Sequence, residues 1–279
     1  MTAPLAITGS TGRLCGRVAR LLADRGVQQH LVVRDLGRAP SLTGATVAEA
    51  SYGDFDAVQR ALDGVTTVLM VSGSESATRV QEHFTFVDAA VAAGVRHLVY
   101  ISFFGAAPDA TFTLAQDHYA TEERIKESGL AWTFLRDNLY LDFIPLMVGE
   151  DGVIRGPADD GRVSAVAQDD IAAAAVGVLR DPTAHKAQTY SLTGPEAITL
   201  AEAAEVMTRR LGRPVTFQDE TLEEAYASRS GYGAPDWEVE GWVTNYRAIA
   251  SGELSEVTDH VRRLTGQQPM SLDELLARG

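Results

Sequence analysis

Cysteine is nearly absent: Cys15 is the only one in 279 residues. No internal disulfide and no cysteine-built zinc site can form, and no metal site is expected. No run of about 18 apolar residues occurs, so no membrane-spanning helix is expected. The N-terminus has no charged segment ahead of an apolar stretch, so no secretory signal is expected. Basic charge is scarce as well. The 24 Lys and Arg stand against 38 Asp and Glu, a formal net charge of −14. A surface that follows a phosphate backbone needs a basic stripe, and none is present, so nucleic acid is not an expected partner. Internal repeats and low-complexity tails are missing. These absences together describe a soluble, cytoplasmic protein. A homodimer is compatible with such a surface, which by itself decides nothing about assembly. The length suffices for a sizeable core, in one large domain or two interlocked ones.

What is present begins within five residues of the N-terminus. Leu5-Ala6-Ile7-Thr8-Gly9-Ser10-Thr11-Gly12-Arg13-Leu14-Cys15-Gly16 reads as strand, tight glycine turn and helix. Glycines let a backbone approach a ligand closely. The helix behind them offers unpaired N–H groups and its positive end to an anion. The spacing is Gly9-x-x-Gly12-x-x-Cys15, with Gly16 one place late for the usual dinucleotide fingerprint. A plain glycine turn is the alternative; the strand before and the helix after favour the dinucleotide.

Further along, apolar residues at Leu14, Val18, Leu21 and Leu22 have helical spacing, and Gly26 ends that helix. Strands are expected at His30–Arg34, Thr46–Ala50, Val65–Val71, His97–Ile101 and Ala131–Leu135. Helices are expected from Asp54 to about Leu62, Thr78 to Ala93 and Leu114 to Ser128. Strands alternating with helices, and apolar on both faces, indicate an α/β fold with a doubly wound parallel sheet. Ligands bind such sheets outside the carboxyl ends of the strands, near the first strand. The loops at Gly9, Arg34, Ser72, Ser102 and Arg136 all fall at that edge. From about Leu139 the alternation loosens. An Ala-rich helix follows Asp169-Asp170, strands are expected at Thr189–Leu192 and Val215–Gln218, and capping boxes stand at Thr199/Glu202 and Ser271/Glu274. The expectation is a dinucleotide-binding domain over 1–149 and a smaller α+β domain over 150–279 covering the cofactor cleft, with parts of 163–193 returning to the first. Gly231-Tyr232-Gly233-Ala234-Pro235 reads as a loop and candidate lid.

Arg34 ends the second strand, where an acid would favour NAD and an Arg accommodates the extra phosphate of NADP. Arg13 can converge on the same place, and two guanidinium groups suit a phosphate dianion. NADP(H) is therefore favoured. The alternative has Arg34 in a solvated turn and Asp35 on a ribose. Asp54 suits either the adenine amine or a helix cap. The Tyr-x-x-x-Lys pair of ordinary short-chain dehydrogenases is absent: Tyr119 is followed by Glu123, and a carboxylate disfavours phenolate. The same helix offers His118 and Glu122, one turn apart. Glu122 is expected to raise the His118 pKa towards a proton-donating imidazolium; a surface pair is the alternative.

Ile7-Thr8-Gly9-Ser10-Thr11-Gly12, Val33-Arg34, Tyr52-Gly53-Asp54, His118-Tyr119-Ala120-Thr121-Glu122 and Thr133 through Tyr140 resemble the NmrA-like atypical short-chain dehydrogenases, in particular the quinone and triphenylmethane reductases among them. The likeness runs through Tyr190-Ser191-Leu192 and Ser251-Gly252-Glu253. The His118…Glu122 and Leu135-Arg136-Asp137-Asn138 pieces are its most specific parts. The resemblance implies a Rossmann domain with a smaller C-terminal domain and NADPH in the cleft. It implies that Gly9, Ser10, Thr11, Gly12, Arg13 and Leu14 hold the pyrophosphate, and Arg34 with Arg13 the 2′-phosphate. Ser72, Gly73, Ser74, Asn138 and Tyr140 would line the nicotinamide end, and His118, where related members carry a Lys, would lie near the nicotinamide ribose or the substrate. Two departures stand out. Cys15 replaces the third glycine, which asks the helix to sit slightly further from the sheet. Gln168 stands where the quinone reductases are expected to carry an Arg.

A quinone-like acceptor can take hydride directly from NADPH, with orientation and desolvation carrying most of the acceleration, so the missing Tyr-x-x-x-Lys does not exclude a reductase. Phe103, Phe104, Tyr140, Phe143, Trp237 and Trp242 are candidates for a flat acceptor pocket or for ordinary core. Two other readings remain: a non-catalytic NADP(H) sensor that regulates a protein partner, and a reductase dedicated to one specialised metabolite.

Overall fold

The alternation of short apolar runs with amphipathic stretches is realised as alternating strands and helices. The structure is a computed structural model and describes residues 4–278. In order come β1 (Leu5–Thr8), α1 (Arg13–Ala23), β2 (Gln29–Val33), β3 (Ala45–Glu49), α2 (Phe55–Ala61), β4 (Thr67–Val71), α3 (Arg79–Ala92), β5 (His97–Phe103), α4 (Thr113–Glu127) and β6 (Ala131–Asp137). There follow β7 (Val153–Gly156), α5 (Gln168–Arg180), β8 (Gln188–Leu192), α6 (Leu200–Leu211), β9 (Thr216–Asp219), α7 (Leu222–Arg229), α8 (Asp236–Ala250), α9 (His260–Thr265) and α10 (Leu272–Ala277).

Seven strands form one sheet in the order β3-β2-β1-β4-β5-β6-β8. The pairs from β3 across to β5 are parallel, with Ile7 opposite Leu31 on one side and Leu69 on the other. The order reverses at β1, which is the doubly wound Rossmann arrangement, and that reversal opens the ligand crevice at the carboxyl edge. All four residues of β1 are buried, as a strand covered on both faces requires. One core layer joins Val32, Val68, Leu98 and Phe134 of the strands to Val58 of α2, Phe86 and Ala90 of α3, and Ile125 of α4.

The chain divides into two compact units. The first comprises everything up to Ser102, with Asp117–Arg136 and Ile171–Tyr190. The second comprises Phe103–Gln116, Asp137–Asp170 and everything from Ser191 onward, and is close to the first in length. The units do not part at 149/150: residues 103–116 and 137–149 belong to the second.

The second unit has its own core, in which Leu141, Ile154, Val163, Ala203, Met207 and Ile249 are buried together. β7 and β9 pair in parallel, Ile154 opposite Phe217. Both expected capping boxes form, and Thr221 with Glu224 makes a third at the start of α7. β7 and α7 to α9 were not legible in the sequence. The Gly231–Pro235 segment connects α7 to α8: Ser230–Tyr232 is a 3-10 turn, and Gly233 leaves it at φ +67. Among the described residues no helix is long and apolar enough to cross a membrane.

Candidate functional site

Thr8 ends β1, and Gly9 turns the chain at φ +66, a conformation that costs other residues energy. A Cβ on Gly9 would lie 2.4 Å from Val71 Cγ1, so space as well as backbone angle demands glycine. Gly12 N–H donates to the Gly9 carbonyl at 2.9 Å and closes the turn. Gly12 is also the N-cap of α1. No side chain caps that end, and the first turn carries no acid. Ser10 is 3% exposed, and its Oγ has no hydrogen-bond partner. A buried hydroxyl without a partner costs about 1–3 kcal/mol. Beside an uncapped helix N-terminus it suits an incoming phosphate oxygen. Cys15 is buried in the third glycine position, and its Cβ lies 3.9 Å from a Cβ built on Gly9, ordinary contact. The tight packing moves to Gly16, where a Cβ would come within 3.1 Å of the Ser10 carbonyl oxygen.

Arg34 follows β2 and is exposed, and its Nη2 donates to Ser74 Oγ at 3.4 Å. The structure thus brings together Arg34 and the loop after β4. Arg13 is exposed at the first residue of α1. Asp35 acts as a cap: its Oδ1 accepts Gly37 N–H at 2.8 Å at the start of the 3-10 turn Leu36–Arg38. Asp54 likewise acts as a cap, Oδ1 accepting Ala57 N–H at 2.9 Å at the start of α2. Both carboxylates are thus engaged with their own local backbone.

Residues that the sequence reading did not single out fix the Ser72–Ser74 loop. His83 Nε2 accepts Gly73 N–H at 2.8 Å, and His83 Nδ1 lies 2.9 Å from Thr121 Oγ1. Burial, helped by the Arg79 charge, pushes His83 down to about 3. The ring is therefore neutral, with its proton on Nδ1. The Tyr52 hydroxyl donates to the Val71 carbonyl at 2.6 Å and lies 2.5 Å from Thr8 Oγ1. Burial holds the Tyr52 phenol well above its ordinary range. These bonds tie the ends of β1 and β4 together behind the turn.

His118 corrects an expectation. Glu122 was expected to charge it. Instead, the Glu122 carboxylate accepts from Arg136 Nε at 2.8 Å, Arg136 Nη2 at 2.6 Å and Ser102 Oγ at 2.6 Å. His118 is buried, with Nε2 2.9 Å from Arg79 Nη2 and Nδ1 3.0 Å from the Tyr100 hydroxyl. Its pKa is lowered, not raised: burial dominates, and the positive charges of Arg79 and Arg136 add to it. The helical spacing of His118 and Glu122 was visible in the sequence. The two arginines that decide the outcome come from α3 and β6 and gave no local signal.

In the second unit, Asn138 is fully buried and its amide is fully engaged. Nδ2 donates to Ser164 Oγ and the Leu254 carbonyl, both at 2.9 Å, and Oδ1 accepts Leu139 N–H at 2.7 Å. The side chain therefore shapes the turn after β6. Burial raises the Asp137 carboxyl well above its usual range, opposed by a hydrogen bond from Tyr140. The Tyr140 ring packs edge-on to Phe143 at 5.1 Å, and Phe103 to Phe112 at 4.9 Å. Phe104 is core, and Trp242 meets Tyr232 edge-on at 6.0 Å. Gln168 is buried at the start of α5, its backbone N–H donating to Asp142 Oδ2 at 2.8 Å.

A family model described as the NmrA-like family matches residues 1–234. The chain belongs to the NmrA-like family. Quinone oxidoreductase 2 of Escherichia coli is 32% identical over 278 residues, covering 97% of this chain and 96% of that protein. Among solved structures, an NADPH-dependent quinone oxidoreductase from Escherichia coli, complexed with NADPH, superposes with a TM-score of 0.89 at 31% identity. The match covers 98% of this chain and 99% of that one. The triphenylmethane reductase of Citrobacter sp., complexed with NADP(H), gives 0.88 at 31% identity with the same coverage. The NmrA-like resemblance drawn from the glycine turn and the His118 and Asn138 segments is thereby borne out, and so is the Rossmann sheet.

Proposed function

We propose that this NmrA-like chain is an NADPH-dependent reductase that passes hydride to a quinone or a similar conjugated small molecule. The observation that carries the reading is the unsatisfied edge at β1. A buried hydroxyl without a partner, at Ser10, stands beside an uncapped helix N-terminus, and Arg34 lies at the end of the next strand. The relatives support the reductase class, because the names of those described above specify quinones and triphenylmethane dyes as acceptors and NADPH as the cofactor.

In this reading Gly9, Ser10, Thr11, Gly12, Arg13 and Leu14 bind the pyrophosphate through backbone N–H groups and the Ser10 hydroxyl. Arg34, with Arg13, binds the 2′-phosphate through paired guanidinium donors. When bound, the reduced nicotinamide supplies a hydride from its C4 carbon. Ser72, Gly73 and Ser74 hold the nicotinamide end, on a loop made rigid by His83. Asn138 contributes by fixing the backbone of Leu139 and Tyr140. His118 supports the site from behind the loop. Asp54 is left to its helix. Reduction of a quinone by one hydride and one proton from water gives the hydroquinone, so orientation and exclusion of bulk solvent are the protein's main contributions.

The experiment is consumption of NADPH, followed by the absorbance of the reduced nicotinamide, against quinones, azo compounds and triphenylmethane dyes, with NADH in parallel. Turnover on several acceptors with a preference for NADPH supports the proposal. Tight NADPH binding without turnover on any of them overturns it in favour of a dinucleotide sensor.

A further inference from the structure

Arg79 opens α3 and is 4% exposed. Its Nη2 lies 2.9 Å from His118 Nε2. A guanidinium has donors only and keeps its proton, so Nε2 must be the acceptor. The ring proton is then on Nδ1, 3.0 Å from the Tyr100 hydroxyl of β5. Both carboxylates of α4 that flank His118 are held by arginines. Asp117 Oδ2 meets Arg79 Nη1 at 3.4 Å, and Glu122 gives both oxygens to Arg136 of β6. Tyr100 shares its hydroxyl with Nδ1, and His83 of α3 is neutral because Gly73 N–H occupies its Nε2. Arg79 and Arg136 place positive charge near the ring, and the two flanking carboxylates are paired with them.

We infer that Arg79 is a positioning residue that fixes His118 as the Nδ1–H imidazole and removes it as a proton donor. A histidine in the catalytic helix of a dehydrogenase-like chain invites the opposite role. Here Nε2 carries no proton to give, and the Nδ1 proton points at Tyr100. Protonating the ring would also bring a second positive charge against Arg79 in a buried setting. The consequence for turnover rests on the reductase reading above, while the tautomer itself does not. If a quinone is the acceptor, the hydroquinone takes its proton from water, and His118 serves to hold β5, α3 and α4 in register behind the Ser72–Ser74 loop.

The experiment is a nitrogen-15 spectrum of the histidine side chains in the full chain, with His118→Ala used to assign the signal. The expected result is a neutral Nδ1–H ring for His118 throughout the range from about pH 5 to about 8, where an ordinary histidine would titrate. Arg79→Met removes the donor that Nε2 accepts, so the Nδ1–H form is no longer enforced and the Nε2–H tautomer is expected to appear in the spectrum. Arg79→Lys, which keeps a donor, is expected to restore the Nδ1–H form. If turnover is found, kcat/KM for the wild type should show no inflection from His118 between about pH 5 and about 8. A wild-type His118 that titrates normally, or that carries its proton on Nε2, overturns the inference. So does an Arg79→Met spectrum identical to wild type. The wild-type spectrum decides even if Arg79→Met fails to fold. Loss of the reductase reading would appear as absent turnover with the tautomer result unchanged.

Discussion

The glycine turn after β1 and the polar network around His118 belong to the same unit, yet their hydrogen-bonding groups are met to very different degrees. At the turn, the Ser10 hydroxyl has no partner, the N-terminus of α1 has no side-chain cap, and Arg34 makes a long hydrogen bond to Ser74 Oγ at 3.4 Å. Around His118, both ring nitrogens, the Glu122 carboxylate and the Arg136 guanidinium all have partners at 2.6–3.0 Å. Buried polar groups are expensive unless paired. A place where pairing is left incomplete is one where a ligand completes it. A place where pairing is nearly complete, with Arg79 Nε the buried exception around His118, holds the scaffold. Residue type alone reverses the emphasis, since His and Glu one turn apart look like catalytic machinery and a serine in a glycine turn looks incidental.

The largest effect that would sharpen this contrast is expected from Gly9→Val. The positive φ and the 2.4 Å approach to Val71 leave no room for a side chain. A loss of about 3 kcal/mol or more is expected in chemical unfolding, with NADPH binding abolished. Retention of both would remove the turn from the site. Arg34→Asp is next. It replaces a phosphate-pairing group by a repelling one, and NADPH affinity is expected to fall by about 100-fold, about 2.7 kcal/mol. NADH affinity should change little, so equal losses for the two cofactors in a fluorescence titration would contradict the 2′-phosphate role.

The third prediction concerns acid stability. His83 is held down to about 3 and His97 to about 4, each mainly by burial. Below the unfolded value near 6.5 the unfolded chain binds protons that the folded chain refuses. Stability is therefore full above about pH 6.5 and falls as pH drops, by about 1.4 kcal/mol per unit for each such histidine. His83→Gln keeps an acceptor for Gly73 N–H and removes one titration. Its unfolding free energy should fall less steeply between about pH 6 and about 4, by that amount per unit; an unchanged slope would show that His83 is not held neutral. The smallest effect is expected from Asp54→Ala, which removes a helix cap worth about 1 kcal/mol. NADPH affinity should be unchanged, and a clear loss would restore Asp54 to the adenine.

The central strands of the sheet were legible because they are short apolar runs between glycine or polar breaks, and the period of such runs is a local property. The capping boxes at Thr199 and Ser271 were legible for the same reason. β7 was not, because Val153-Ile154-Arg155-Gly156 is four residues long and gains its place only by pairing with β9, some sixty positions later. The candidate phosphate-binding residues of the first turn were picked out from spacing. His83 and Arg79 were missed, and Tyr52 was quoted in a motif without a role, because their partners Gly73, His118 and Thr8 lie on other elements. Asn138 was picked out by its motif, but the motif marks a turn that its amide stabilises from within. Sequence position identified the segment, and only the hydrogen bonds distinguish shaping a backbone from touching a ligand.

The most direct measurement uses NADPH deuterated at the C4 position and a triphenylmethane dye whose central carbon accepts the hydride. Direct transfer predicts deuterium on that carbon of the reduced dye, together with slower turnover than with the unlabelled cofactor. Reduced dye without deuterium from either face of the nicotinamide, or bound NADPH with no reduction of any acceptor, would contradict a hydride-transferring reductase.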